Sequence, residues 1–367
     1  EPATTNYQMF QFLGYISCRS RRRTGLVVLL GLAVNIQRSS QLHIVTPLVQ
    51  GPILEKNNCE IWYKLDCLQP PGSFKLRGLG KVVENAKRSG AAGVVSSSGG
   101  NAGIATAYAA KACGLECLVV LPITTPKATA EKLKLEYGAS VIIEGDVWDT
   151  AHLKAQEISK ARGWPLVHPF DDPTAWEGHA SLVDECFEQL SPKIPHCFIT
   201  SVGGGGLLAG VLTGIERNLS RFEKKPTVIA VETHGADSFA QSFAAGKPIT
   251  LDAITSIAKS LGARTPSSTI LTNALQLSKD SIDLKSLVVS DEQALRATIR
   301  FANEYRHLVE PACGAALAAI HHTPSILPDD STIVVEVCGG AVVDLPAISK
   351  WASDLGLAEA SYFGVDF

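Results

Sequence analysis

The chain has 367 residues, 46% of them hydrophobic and 19% charged, with a formal net charge of -3. That length suits one large or two ordinary globular domains, and the slight negative balance offers no electrostatic reason to expect a nucleic-acid partner. Nine cysteines, at 18, 59, 67, 113, 117, 186, 197, 313 and 338, form no CxxC pair. They read as small buried hydrophobes in a reducing, cytoplasmic compartment, with Cys113 and Cys117 four apart on one helix.

The N-terminal stretch is unlike the rest. A basic cluster, Arg19 to Arg23, precedes an apolar run from Gly25 to Ile36. That run is too short to span a bilayer comfortably, and it begins too deep in the chain for an ordinary signal peptide. Residues 1–42 are therefore expected to be an extension outside the fold, and no membrane partner is expected.

From "LHIVTPLVQ" onward, short apolar runs alternate with longer amphipathic ones. "AGVVSSSGG" reads as a buried strand entering a Ser/Gly loop. "NAGIATAYAAKACG" reads as an alanine-rich helix ending at Gly114. The strand "LECLVVLP" follows. The next helix has Thr125 as its cap, Pro126 in its first turn and Gly138 at its end. After the strand "SVIIEG" and the helix "DVWDTAHLKAQEISKARG", the alternation resumes with "HCFITSVGGGG", "LLAGVLTGIERNL", "TVIAVE", "DEQALRATIRFANEYR", "PACGAALAAIHHT" and "STIVVEVCGG". Alternating strands and helices predict parallel sheets covered on both faces, here in two groups with a ligand cleft between them.

Three loops carry chemistry. In "SVGGGGLLAG", a strand runs through Gly203, Gly204, Gly205 and Gly206 into a helix, so backbone N–H groups and the positive helix end converge as in a phosphate cradle. No Lys-Ser/Thr pair follows, which argues against a triphosphate site. Glu232, closing the next strand, keeps a dinucleotide alternative open. "SSSGGNAG" places hydroxyls and amides at a second helix start, suited to a carboxylate or serving as a plain N-cap. Lys75, in "PPGSFKLRG", is either a solvated charge or a carbonyl-trapping amine. A phosphate site, a carboxylate site and a reactive lysine together point to pyridoxal phosphate acting on an amino acid.

These segments, with "VVEVCGG", "PFDDPTAWEGHAS" and "VEPACGAALAA", resemble the fold-type II pyridoxal-phosphate enzymes, and within them the L-serine dehydratase branch, over roughly residues 43–350. The resemblance implies two doubly wound α/β domains with open, twisted, largely parallel sheets of the tryptophan synthase β type, and a cofactor in the cleft. Residues 43–66 with 172–367 would form the larger domain and 67–171 the smaller.

It also implies roles for individual residues. Lys75 would bond the cofactor aldehyde and act as the base on Cα, with Phe74 against the cofactor ring. Asn101 would bond the ring hydroxyl oxygen. Gly203 to Gly206 and Leu207 would hold the phosphate, and Cys338 would face the ring nitrogen. Ser98, Gly99, Gly100, Asn101 and Ala102 would surround the substrate carboxylate. Gly99 stands where relatives carry alanine or serine, which would remove a contact to substrate or leaving group. A potassium-like cation would lie among Gly203, Glu232, Ala236, Ser238, Leu261 and Ala263, unless Asp237 takes the place of Ser238.

The implied activity is elimination of ammonia from L-serine, and from L-threonine by the same route, in a homodimer without a regulatory domain. A threonine-preferring dehydratase, a serine racemase and a non-catalytic cofactor-binding homologue are the alternatives.

Overall fold

A computed structural model describes residues 42–357; the basic cluster and apolar run of the N-terminal stretch lie outside the described residues. Leu42 is the first described residue, and its amide donates to Glu84 at 2.9 Å.

The chain enters through an antiparallel pair, β1 (Leu48–Leu54) and β2 (Cys59–Lys64). Helix α1 (Lys75–Arg88) then leads into four parallel strands with their helices: β3 (Gly93–Ser96), α2 (Asn101–Cys113), β4 (Glu116–Leu121), α3 (Lys127–Leu135), β5 (Ser140–Ile143), α4 (Trp148–Arg162) and the two-residue β6 (Leu166–Val167). These strands form their own sheet in the order β5-β4-β3-β6.

Helix α5 (Pro173–Leu190) carries the chain back to the first sheet. There follow β7 (Cys197–Ser201), α6 (Gly206–Arg217), β8 (Thr227–Thr233), α7 (Ser238–Ala245), α8 (Ser268–Asp280), β9 (Asp283–Val289), α9 (Asp291–Tyr305), α10 (Pro311–His322), β10 (Thr332–Glu336) and α11 (Leu345–Asp354). The six-stranded sheet has the order β1-β2-β10-β7-β8-β9 and is parallel except at β1–β2.

Every residue of β7, β8 and β10 is buried. Helices cover both faces of a parallel sheet, so its central strands read as continuous apolar runs. Each buried Val or Ile side chain there contributes roughly 1.5–3 kcal/mol.

Two local expectations change. Cys113 ends α2 whereas Cys117 lies on β4, because Gly114 turns the chain out of the helix with φ +66°. Helix α3 starts one residue later than expected. Pro126 takes the cap position with ψ 135°, and the helix has no side-chain cap, so Thr125 does not serve as one.

What places α1 matters most for function. Arg77 is wholly buried and clamped on both sides: Nε and Nη2 donate to Asp66 at 2.6 and 2.7 Å, while Nη1 and Nη2 donate to Glu185 at 2.6 and 2.8 Å. Lys64 adds a second cation, 2.5 Å from Glu185. Two cations thus face two carboxylates, which is how a buried charge cluster is tolerated. Burial pushes the Asp66 carboxyl upward, but the Arg77 guanidinium outweighs it and holds it down at about 2.

Helix α5 packs against both α1 and α6 through glycines. A Cβ on Gly178 would stand 2.3 Å from the Arg77 carbonyl oxygen, and one on Gly210 would stand 2.2 Å from His179 Cβ. The helices that begin at Lys75 and at the glycine run are therefore seated on one support at minimal distance.

Candidate active site

Lys75 is the first residue of α1, two positions before the Arg77 clamp. The Pro70–Gly72 turn ahead of it is stitched to the segment after β10. Phe74 N donates to Cys338 O at 3.0 Å, Gly340 N donates to Gly72 O at 3.0 Å, and Ser73 bridges Gly339. The turn therefore fixes Lys75 and Cys338 relative to each other. Lys75 Nζ donates to the Pro169 carbonyl oxygen at 2.6 Å. Burial pulls its amine down to about 8. That raises the share of neutral, nucleophilic amine near physiological pH far above that of an exposed lysine, although the ammonium form still predominates there.

The lysine opens into a crevice of about 650 Å³. Ser98, Gly100, Asn101 and Ala102 line it beyond β3, Gly203 to Leu207 beyond β7, and Cys338 beyond β10. All three groups lie at the carboxyl ends of parallel strands, where α/β sheets bind ligands. Phe74 also lines the crevice, its ring centroid 5.0 Å from that of His179.

The glycine run does two jobs. Gly205 caps α6 with φ +101°, a conformation open to glycine. The absent side chains also make room for neighbours: a Cβ on Gly204 or Gly206 would come within 2.4 or 2.9 Å of Phe170, and one on Gly203 within 3.0 Å of Leu261. The first amides of α6 lack intrahelical acceptors and the helix dipole favours an anion there. Ser201, at the same strand end, lines the crevice with a buried hydroxyl that has no partner among the described residues.

Gly99 sits apart from its neighbours. It is not among the crevice-lining residues, and a Cβ there would meet Thr125 Cγ2 at 2.9 Å and Leu121 Cδ2 at 3.1 Å. The side chain that glycine lacks would thus press on the wall toward α3 rather than on a molecule in the crevice.

The proposed cation positions form a patch beneath the glycine run. Glu232 accepts from Phe239 N at 3.0 Å and Ala240 N at 2.6 Å, at the start of α7, and burial pushes its carboxyl up to about 8. Ser238 Oγ donates to Ala263 O at 2.7 Å, whereas Asp237 turns to Gly235 N and Gln241. Ala236 is fully buried alongside, and Leu261 touches Gly203. Among the described residues no cluster of three or more His, Cys, Asp or Glu could hold a metal. The patch offers one carboxylate and neutral oxygens.

Three contributors are absent from the sequence reading. Pro169 holds the lysine through a backbone carbonyl, which no side-chain pattern reveals. Glu310, the cap residue of α10, lines the crevice and accepts from Asn101 Nδ2 at 2.9 Å and from Ser260 Oγ. It lies in the "VEPACGAALAA" segment, but a glutamate before Pro311 gives no sign in sequence that it turns from its own helix to Asn101. Trp148 lines the crevice and stacks on His152 at 4.6 Å, and His152 Nδ1 lies 2.9 Å from Ser97 Oγ.

A lysine of lowered basicity facing a glycine run, a Ser/Gly/Asn helix start and a thiol at three strand ends defines a class, and the comparisons supply the same one. The chain belongs to the pyridoxal-phosphate dependent enzyme family, whose model matches residues 39–339. It is 42% identical over 328 residues to a human protein named serine dehydratase-like, covering 87% of this chain and 97% of that protein. It is likewise 42% identical over 326 residues to the mouse L-serine dehydratase/L-threonine deaminase, covering 86% and 97%. Its fold superposes on a fungal L-serine ammonia-lyase from Rhizomucor miehei with a TM-score of 0.77 and 31% identity, covering 85% of this chain and 98% of that one.

The residues present fit the family's cofactor. The lysine is a competent nucleophile, the α6 amides with the unpartnered Ser201 hydroxyl suit a phosphate, and Cys338 stays a neutral thiol. A hydrogen bond with the Cys313 thiol, reinforced by burial, pushes Cys338 well above the ordinary thiol range.

Proposed function

We propose that this protein is an L-serine ammonia-lyase that converts L-serine to pyruvate and ammonia, and L-threonine to 2-oxobutanoate and ammonia. The observation that carries the reading is Lys75: a buried amine of lowered basicity held between a glycine run at a helix start and a Ser/Gly/Asn helix start. The named activities of the dehydratase and ammonia-lyase relatives support it.

Pyridoxal phosphate in the crevice would supply an electrophilic aldehyde and a ring that withdraws electrons from the substrate α-carbon. Gly203 to Gly206 and Leu207 would hold its phosphate by backbone amides, and Phe74 would pack on its ring. Cys338, a neutral thiol, would face the ring nitrogen and leave it largely unprotonated. The amides and hydroxyls of Ser98, Gly100, Asn101 and Ala102 would hold the substrate carboxylate, with Gly99 set back from the crevice. Lys75, as a free amine, would remove the α-proton, the β-hydroxyl would take up one proton and leave as water, and hydrolysis of the released enamine by water would give the keto acid and ammonia.

We further infer a monovalent cation such as potassium at the patch of Glu232, Ser238 and the carbonyls of Gly203, Leu261, Ala263 and Ala236. A buried carboxylate with no cationic partner among the described residues, flanked by neutral oxygens, supports that choice over a divalent ion. The reading divides the chain into 43–66 with 172–367 and 67–171, supported by the separate sheets of β1, β2 and β7–β10 and of β3–β6. A cytoplasmic homodimer is the remaining part of the reading. Among the described residues no helix is long and apolar enough to cross a membrane.

The test is a pyruvate- and 2-oxobutanoate-coupled assay with L-serine and L-threonine, read alongside chiral analysis of residual serine. Keto-acid release with negligible D-serine is expected. Substantial D-serine with little pyruvate would replace the lyase reading with a racemase.

A further inference from the structure

We infer that Glu310 is a positioning residue, which fixes the Asn101 carboxamide so that a nitrogen donor, and not an oxygen acceptor, faces the ligand crevice. The inference rests on the reading that the crevice holds pyridoxal phosphate.

An asparagine side chain is nearly symmetric in shape, so only its hydrogen-bond partners decide which end is nitrogen. Here both ends are occupied. Asn101 Oδ1 accepts from the Ala341 backbone N–H at 2.8 Å, a group that can only donate. Asn101 Nδ2 donates to Glu310 Oε1 at 2.9 Å. A flipped carboxamide would set oxygen against a carboxylate oxygen and N–H against N–H. Both contacts would then be repulsive or unmade inside a protein interior.

The remaining Nδ2 hydrogen has Ser260 Oγ as its recorded acceptor at 3.5 Å, beyond a good hydrogen bond. It is available to an acceptor on a ligand.

Glu310 suits this task for three reasons. It is 5% exposed, yet it lines the crevice. It stands at the cap position of α10 but makes no side-chain cap, so its carboxyl is free to face Asn101. Its other oxygen takes the Ser260 hydroxyl, in the short 3-10 turn Lys259–Leu261 that packs on Gly203. One side chain therefore ties the start of α2 to the segment beneath the glycine run. Burial raises the Glu310 carboxyl, opposed by its bonds with Ser260 and Asn101.

The experiment measures equilibrium binding of pyridoxal phosphate to the apoproteins of wild type, Glu310→Gln, Glu310→Ala, Asn101→Ala and the Glu310→Ala/Asn101→Ala double variant. Protein fluorescence and the visible band are the readouts, and thermal unfolding of each apoprotein reports folding. Glutamine can still present an acceptor to Asn101 and its amide to the rest of the site. Glu310→Gln should therefore bind within about threefold of wild type, and Glu310→Ala should lose roughly tenfold, the worth of one buried hydrogen bond. The double variant should bind no worse than Asn101→Ala alone. Equal loss in the glutamine and alanine variants, no loss in either, or additive losses in the double variant would each overturn the inference. Should Glu310→Ala not fold, Glu310→Ser takes its place with the same expectation. Wild type that binds no cofactor would sink the parent reading together with this inference, and the wild-type arm separates that result from the others.

Discussion

The Lys75 ammonium nitrogen sits 2.6 Å from the backbone carbonyl oxygen of Pro169. That contact joins the first residue of α1 to the segment between β6 and α5. The same segment presses Phe170 against Gly204 and Gly206. Two adjacent residues, Pro169 and Phe170, therefore hold the Lys75 amine and pack on the glycine run, and the amine's lowered basicity follows from how dry that place is.

Replacing Lys75 by alanine removes the nucleophile and the proton acceptor together. The variant is expected to lack the visible absorbance band of the bound cofactor and to lose at least about a thousandfold in keto-acid release. Absorbance of the purified protein and the coupled assay check it. Retention of the band would show that another amine holds the cofactor.

Cofactor capture should depend on pH through this same amine. Burial lowers Lys75 to about 8, and the neutral form is the one that attacks an aldehyde. The rate at which apoprotein gains its visible band should rise tenfold per pH unit up to about 8 and level off above it. A rise that continues to pH 10 would mean that the lysine behaves as a solvated one.

The Arg77 clamp should govern acid stability. Asp66 is held at about 2 against an ordinary 3.8, so its stabilisation is complete above pH 4 and lost as pH falls through about 2. The corresponding free energy is about 2 kcal/mol. Arg77→Met leaves the buried Asp66 carboxylate without its paired cation, while Glu185 keeps Lys64, and should cost about 3–5 kcal/mol. Its acid unfolding should also begin at higher pH, because burial alone raises Asp66. Urea unfolding at several pH values measures both effects.

The glycine contact between α1 and α5 has no slack. Gly178→Ala would place a methyl 2.3 Å from the Arg77 carbonyl oxygen, a backbone atom that cannot swing aside. A loss of about 3 kcal/mol is expected, together with weaker cofactor binding as Lys75 moves relative to the glycine run. Calorimetry and cofactor titration on the same preparation test the pair of effects.

The cation reading makes its own prediction. Exchange of potassium for a bulky organic cation should lower lyase activity several-fold, and Glu232→Ala should abolish the difference between the two salts. An unchanged salt response in that variant would remove Glu232 from the site.

The strand–helix alternation, the glycine run, the Ser/Gly/Asn helix start and the lysine were legible in the sequence. Each is a local property: apolar run length, glycine where chain must approach chain, polar groups at a helix start. The parallel sheets follow from those units, since helical crossovers leave little alternative. The α3 cap and the shared helix for Cys113 and Cys117 misread only local turns.

Tertiary structure decided what depends on distant segments meeting. Pro169 acts through its backbone, and Glu310 becomes functional only because α10 brings it beside Asn101, 209 residues away in sequence. Ser238 rather than Asp237 reaches Ala263 because of how α7 is turned. Gly99 looks at Thr125 and Leu121 rather than at the crevice. Side-chain direction, burial and dielectric are set by the packed neighbourhood, so the sequence alone determined which groups are present, and the fold decided which of them face one another.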